Sequence, residues 1–168
     1  FVNGTFSGID GLTARMRAAT AEELAQNPLD PQAASVIVVT IEHGASVSGD
    51  VIEVALQEHK PKWAAMAHWE TGSGRINDLE GFSAACEKYN VLGLVDAVSS
   101  LGVGAFRIDD YPGIHGWASC PQKGLSCLPL TYAPVSFSDR FIETINTSGT
   151  RTFVHHPVME ARHWAIIE

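Results

Sequence analysis

No run in this sequence approaches the roughly 20 consecutive apolar residues that a helix needs to cross a bilayer. Positive charge is scarce as well: 11 Lys and Arg stand against 19 Asp and Glu, a formal net charge of −8. An acidic surface repels phosphate backbones and anionic headgroups, which argues against nucleic-acid or membrane binding as the main role. Cysteine is sparse, and Cys86, Cys120 and Cys127 make an odd set of three. Such a set does not build a disulfide framework and reads as the reduced thiols of a cytoplasmic protein. There is no internal repeat, no low-complexity tract and no linker-like stretch, so the 168 residues read as one domain. The opening Phe1-Val2-Asn3-Gly4 carries neither an initiator Met nor a signal-peptide pattern. We expect the chain to be part of something longer.

What is present is an ordinary globular composition, 45% hydrophobic and 18% charged. Short apolar, β-branched runs alternate with helical stretches, the pattern of an α/β fold with a mostly parallel sheet. The spacing predicts strands at Ser35–Ile41, Trp63–His68, Val91–Val95, Gly116–Ser119 and Leu130–Ser136. The first of these is near-continuously apolar, as expected of a strand covered on both faces. Helices are predicted over Gly49–Glu58, from Asn77 to about Tyr89, and over Met159–Glu168. Leu12–Met16 and Ala18–Gln26 also carry helical patterns, ended by Pro28 and Pro31.

Open α/β sheets build their sites at the carboxyl ends of the strands. Three predicted strands end in polar residues: His68-Trp69-Glu70-Thr71-Gly72-Ser73-Gly74, Asp96-Ala97-Val98-Ser99-Ser100, and Cys120-Pro121-Gln122-Lys123-Gly124. In a parallel sheet an acid, a hydroxyl cluster and a lysine would meet on one rim. A lysine amine condenses with an aldehyde, and a nearby carboxylate keeps a heteroaromatic nitrogen protonated. Those are the two groups that pyridoxal phosphate most needs from a protein.

From His68 to about Asp139 the chain resembles the large domain of the class V aminotransferases of fold type I, in the alanine–glyoxylate and serine–pyruvate branch. Three ordered segments carry the resemblance: His68-Trp69-Glu70-Thr71-Gly72-Ser73-Gly74, Leu94-Val95-Asp96-Ala97-Val98-Ser99-Ser100-Leu101-Gly102, and Pro121-Gln122-Lys123. It extends more weakly to Val2-Asn3-Gly4-Thr5-Phe6 and to His155-His156. The resemblance implies a three-layer α/β/α large domain, incomplete here, occupying residues 1–168. It also implies pyridoxal phosphate as cofactor, a homodimer, and transamination between a small amino acid and a 2-oxo acid such as glyoxylate or pyruvate. Lys123 would carry the cofactor as a Schiff base and later shuttle a proton. Asp96 would pair with the pyridinium nitrogen, and Val98 would pack under the ring. Thr71 would bond the phenolic oxygen, Gln122 would reach the phosphate, and Phe6 would stack on the other ring face.

The chain departs from the family in places. After the lysine, Gly124-Leu125-Ser126-Cys127-Leu128-Pro129-Leu130 replaces the usual Ala-Leu-x-x-Pro-Pro-Gly, so this loop is expected to close differently over the cofactor. The family's Tyr-His-His-Thr stands here as Val154-His155-His156-Pro157, without both phosphate-binding side chains. The family's upstream Gly/Ser-rich phosphate loop and its C-terminal domain lie outside the chain. Plainer readings apply elsewhere. His68 with Glu70, and His155 with His156, lack a third metal ligand and are expected to be structural. Cys120 and Cys127 read as core thiols, and Ser99 and Ser100 have no partners in a hydrolase order. Two further readings are a carbon–sulfur lyase or desulfurase of the same fold, and a non-catalytic fragment or degenerate homologue.

Overall fold

The computed structural model describes residues 1, 3–4, 37–129 and 131–148. The elements run α1 (Gly49–His59), β1 (Trp63–Ala67), β2 (Trp69–Glu70), β3 (Arg75–Ile76), α2 (Leu79–Lys88), β4 (Leu92–Asp96), β5 (Ile114–Ala118), β6 (Val135–Phe137) and α3 (Asp139–Ser148). The main sheet has the order β1-β4-β5-β6. β1, β4 and β5 are parallel, and β6 returns antiparallel along β5. The expected α/β fold with a mostly parallel sheet is therefore what the chain adopts. No helix among the described residues is long and apolar enough to cross a membrane.

Period decides which side of each element is buried. In α1, Ile52, Ala55 and Leu56 turn inward; in α2, Leu79, Phe82, Ala85 and Cys86 do so. These stripes pack with Met66, Val95 and Trp117 in one cluster, covering one face of the sheet. Burial pushes the Cys86 thiol up to about 12, so it behaves as a small core hydrophobe. On the other face Phe141 of α3 stacks on Phe137 at 4.5 Å and meets Trp63 edge-on at 5.2 Å. The helices therefore sandwich the sheet.

Two polar devices set the geometry above the core. The Asp78 carboxylate caps α2 by accepting from Gly81 N at 2.8 Å, and its other oxygen accepts from Gly49 N at 3.0 Å. One carboxylate thus serves the amino ends of two helices. Asn77, buried in the loop before α2, accepts from Val47 N and Asn3 Nδ2 and donates to Ala67 O at 2.7 Å. This ties the amino-terminal segment to the carboxyl end of β1.

The structure revises several expectations. Of the strand expected at Ser35–Ile41, only Thr40 among residues 37–41 makes a bridge, and Ile37 is 51% exposed. A strand exists only beside a partner, and an apolar run alone does not supply one. The last strand begins at Val135 rather than Leu130, because Pro134 has no N–H to donate to a ladder. β5 starts at Ile114, before Gly116. The β2–β3 hairpin and α3 were not expected; α3 is opened by Ser138, whose hydroxyl accepts from Phe141 N at 3.2 Å. The helices expected at Leu12–Met16, Ala18–Gln26 and Met159–Glu168 lie outside the described residues, as do His155 and His156.

Because Asn77 satisfies buried backbone groups on either side of it, Asn77→Leu should cost about 2–4 kcal/mol, the penalty for stranding them. Urea denaturation followed by circular dichroism measures this. A loss below about 0.5 kcal/mol would show that solvent replaces these bonds.

Candidate active site

Ala67, Asp96 and Ala118 lie in register across β1, β4 and β5, so the three strands release their chains at one level. After β1 the chain makes the β2–β3 hairpin. Glu70 is 1% exposed, and its Oε1 accepts from Gly72 N at 2.7 Å while its carbonyl accepts from Gly74 N at 2.8 Å. That turn holds up Thr71. Gly4 packs on the same side chain so closely that a Cβ there would lie 2.4 Å from Glu70 Cγ. This close approach admits only glycine.

After β4 the Asp96 carboxylate accepts from Val98 N at 2.7 Å and starts a helical turn. Leu101 N then donates to Ala97 O at 2.9 Å, and Gly104 N to Ser100 O at 2.8 Å. Ser100 is fully buried and Ser99 half-buried. After β5 the loop is closed by Ser126 N to Lys123 O at 2.9 Å and Cys127 N to Pro121 O at 2.8 Å. Loop and turn meet backbone to backbone: a Cβ on Gly124 would lie 2.2 Å from Leu101 O, and Gly102 sits at φ +88°. The consequence is a three-membered contact. Lys123 Nζ donates to Thr71 Oγ1 at 2.8 Å and to Ser99 Oγ at 3.1 Å, and the two hydroxyls bond to each other.

His68 lies beneath this rim with its ring edge-on to Phe106 at 5.0 Å. Its backbone N–H donates to Asp96 O at 2.9 Å, which welds the ends of β1 and β4. Burial lowers its pKa to about 4, so the ring is neutral near pH 7. Among the described residues no three His, Cys, Asp or Glu side chains gather as metal ligands.

No known family profile matches the chain. Individual proteins do. An alanine–glyoxylate aminotransferase of Callithrix jacchus is 35% identical over 144 residues, covering 86% of this chain and 32% of that protein. An (S)-ureidoglycine–glyoxylate transaminase of Bacillus subtilis (strain 168) is 32% identical over 112 residues, 67% of this chain and 26% of its own length. Among solved structures, an alanine–glyoxylate aminotransferase of Nostoc sp. superposes with a TM-score of 0.64 at 35% identity, over 74% of this chain and 32% of that one. The chain is a homologue of the class V aminotransferases. It has the fold of their large domain, in part. It spans about a quarter to a third of the length of the curated relatives it matches.

The residues singled out in the sequence fall as follows. Lys123 and Thr71 are brought into direct contact. Asp96 stands at the end of β4, half-buried, and Val98 is half-buried in the turn that follows. Gln122 is exposed, with no side-chain hydrogen bond among the described residues. Phe6 lies outside the described residues. Ser99 was passed over as a hydrolase nucleophile, yet it bonds the lysine; the signal for it was the hydroxyl cluster after Asp96. Chemically the set suits pyridoxal phosphate. It offers an amine, hydroxyls beside that amine, and a carboxylate on the central strand of the three parallel ones.

The lowered pKa of His68 has a measurable consequence. An exposed histidine titrates near about 6.5, so between that value and about 4 the unfolded chain binds more protons than the folded one. Stability is therefore full above about pH 6.5 and is lost as pH falls toward 4. Melting temperatures across this window should fall more steeply in the native sequence than in His68→Gln. Parallel slopes would show that burial of this ring does not set the acid limb.

Proposed function

We propose that residues 1–168 form the pyridoxal-phosphate-binding part of an aminotransferase that moves an amino group between a small amino acid, of the alanine or serine type, and glyoxylate or pyruvate. The hydrogen bond from Lys123 Nζ to Thr71 Oγ1 at 2.8 Å carries this reading. It joins the amine that would attach the cofactor to the hydroxyl that would bind the cofactor's phenolic oxygen. The relatives named above, both glyoxylate transaminases, support the substrate class. Nothing among them favours the carbon–sulfur lyase reading.

When bound, pyridoxal phosphate supplies an aldehyde for amine exchange and a ring that draws electrons from the substrate Cα. The chain's own residues do the rest. Lys123 Nζ would take the proton from the substrate carbon and pass it to the cofactor carbon that receives the amino group. The Asp96 carboxylate, on the central strand of the three, would hold a proton on the ring nitrogen by its negative charge. By the resemblance, Val98 would pack under the ring, Phe6 would stack on its other face, and Gln122 would reach the phosphate. A homodimer in a reducing compartment such as the cytoplasm belongs to the same proposal. Its support is the exposure of Leu128 (75%) and Val103 (58%) beside the lysine loop, and the three unpaired thiols.

Adding pyridoxal phosphate should give an absorption band at the edge of the visible range that borohydride removes. Lys123→Ala should lack the band and lose transamination by about 10²–10⁴-fold or more. L-Alanine should bleach the band. A band of equal strength in Lys123→Ala sinks the assignment, and sulfide release from L-cysteine without bleaching by alanine would favour the lyase.

A further inference from the structure

We infer that Ser99 is the residue that positions the Lys123 amine for proton transfer once the bond between lysine and cofactor has opened. The inference rests on the cofactor reading above and gives a role to a residue to which the resemblance assigns none.

The geometry is a ring. Lys123 Nζ contacts both Thr71 Oγ1 and Ser99 Oγ, and the hydroxyls contact each other. Each hydroxyl has one donor and two acceptor sites. A protonated amine donates to both oxygens. A neutral amine donates to one oxygen and accepts from the other, while the third side of the ring stays bonded. The ring is thus complete in both protonation states of the lysine, which is what a group that alternately takes and gives a proton requires.

Thr71 alone does not meet that need. In the proposed complex its hydroxyl is engaged by the phenolic oxygen, leaving Ser99 as the second hydroxyl of the ring to bond the amine. Ser99 is also the better fixed of the two. It stands in the turn held by the Asp96–Val98 bond, next to fully buried Ser100, where Gly102 and Gly124 press the turn against the lysine loop. Thr71 is exposed on a two-stranded hairpin.

Two measurements on the native chain and on Ser99→Ala and Ser99→Thr test this. In cofactor-free protein, acylation of Lys123 by an amine-specific reagent is read by peptide mass spectrometry, with exposed Lys60 as internal control. Ser99→Ala should raise Lys123 labelling about 5-fold, equivalent to about 1 kcal/mol, with Lys60 unchanged, and Ser99→Thr should restore the native rate. In protein loaded with pyridoxal phosphate, bleaching by L-alanine should slow about 5-fold in Ser99→Ala, with the half-saturating alanine concentration unchanged. Labelling of Lys123 at the native rate in Ser99→Ala overturns the inference, as does equal behaviour of the Ala and Thr variants. Unchanged labelling with a normal cofactor band sinks only the role of Ser99. Shifted labelling with no band sinks the aminotransferase reading, and the proton-transfer role with it.

Discussion

Parallel pairing of β1, β4 and β5 is the constraint from which the rest of the molecule follows. A parallel strand must be reached by a crossover, and the crossovers here are α2 between β1 and β4 and a long segment between β4 and β5. All three strands therefore point the same way, and their carboxyl ends stand level at Ala67, Asp96 and Ala118. Segments carrying Thr71, Ser99 and Lys123, which are 24 to 52 residues apart in sequence, leave the sheet side by side. Nothing in the local preference of any one segment accomplishes this. The hydrogen-bond ladder does.

The ladder sets the level of the rim but not its fine structure, which depends on close backbone packing. Gly4 against Glu70, and Gly124 against Leu101, are approaches that a single methyl group would block. The buried Glu70 carboxylate bonds the Gly72 amide and fixes the turn that carries Thr71. The Asp96 carboxylate does the same for the turn that carries Ser99. Two acids thus shape backbone at the site, and one of them is also the proposed partner of the cofactor nitrogen.

Much of this was legible in the sequence, for a reason that also marks the limit. Thr71, Asp96 and Lys123 were singled out because each follows a short apolar run and the three occur in a family order, so both fold logic and motif converge on them. The strand expected at Ser35–Ile41 failed because apolar character reports burial, not pairing, and Ile37 is exposed. β2 and β3 have two residues each, too few to show alternation. α3 could have been found from the Ser138 cap, three residues before Phe141. Ser99 was legible only as one member of the hydroxyl cluster expected to meet the lysine on one rim. A serine carries no signature of its own, and its position depends on how closely the Gly102 and Gly124 backbones meet.

The distribution of charge across the rim narrows what each group does there. His68 is near enough to the strand ends to tempt an acid–base role, but desolvation holds it neutral down to about pH 4. It is spent on packing against Phe106 and Trp69, and on the backbone link to Asp96. Glu70 is enclosed and engaged with the Gly72 amide. Asp96 and Lys123 follow adjacent strands, and the hydroxyls of Thr71 and Ser99 both bond the amine. Hydroxyl partners suit a lysine in this position. A carboxylate bonded directly to the amine would favour its ammonium form and oppose release of the proton, whereas paired hydroxyls bond either form. In the proposed complex the Asp96 carboxylate would instead stand at the end of β4, where it would pair with the cofactor's ring nitrogen.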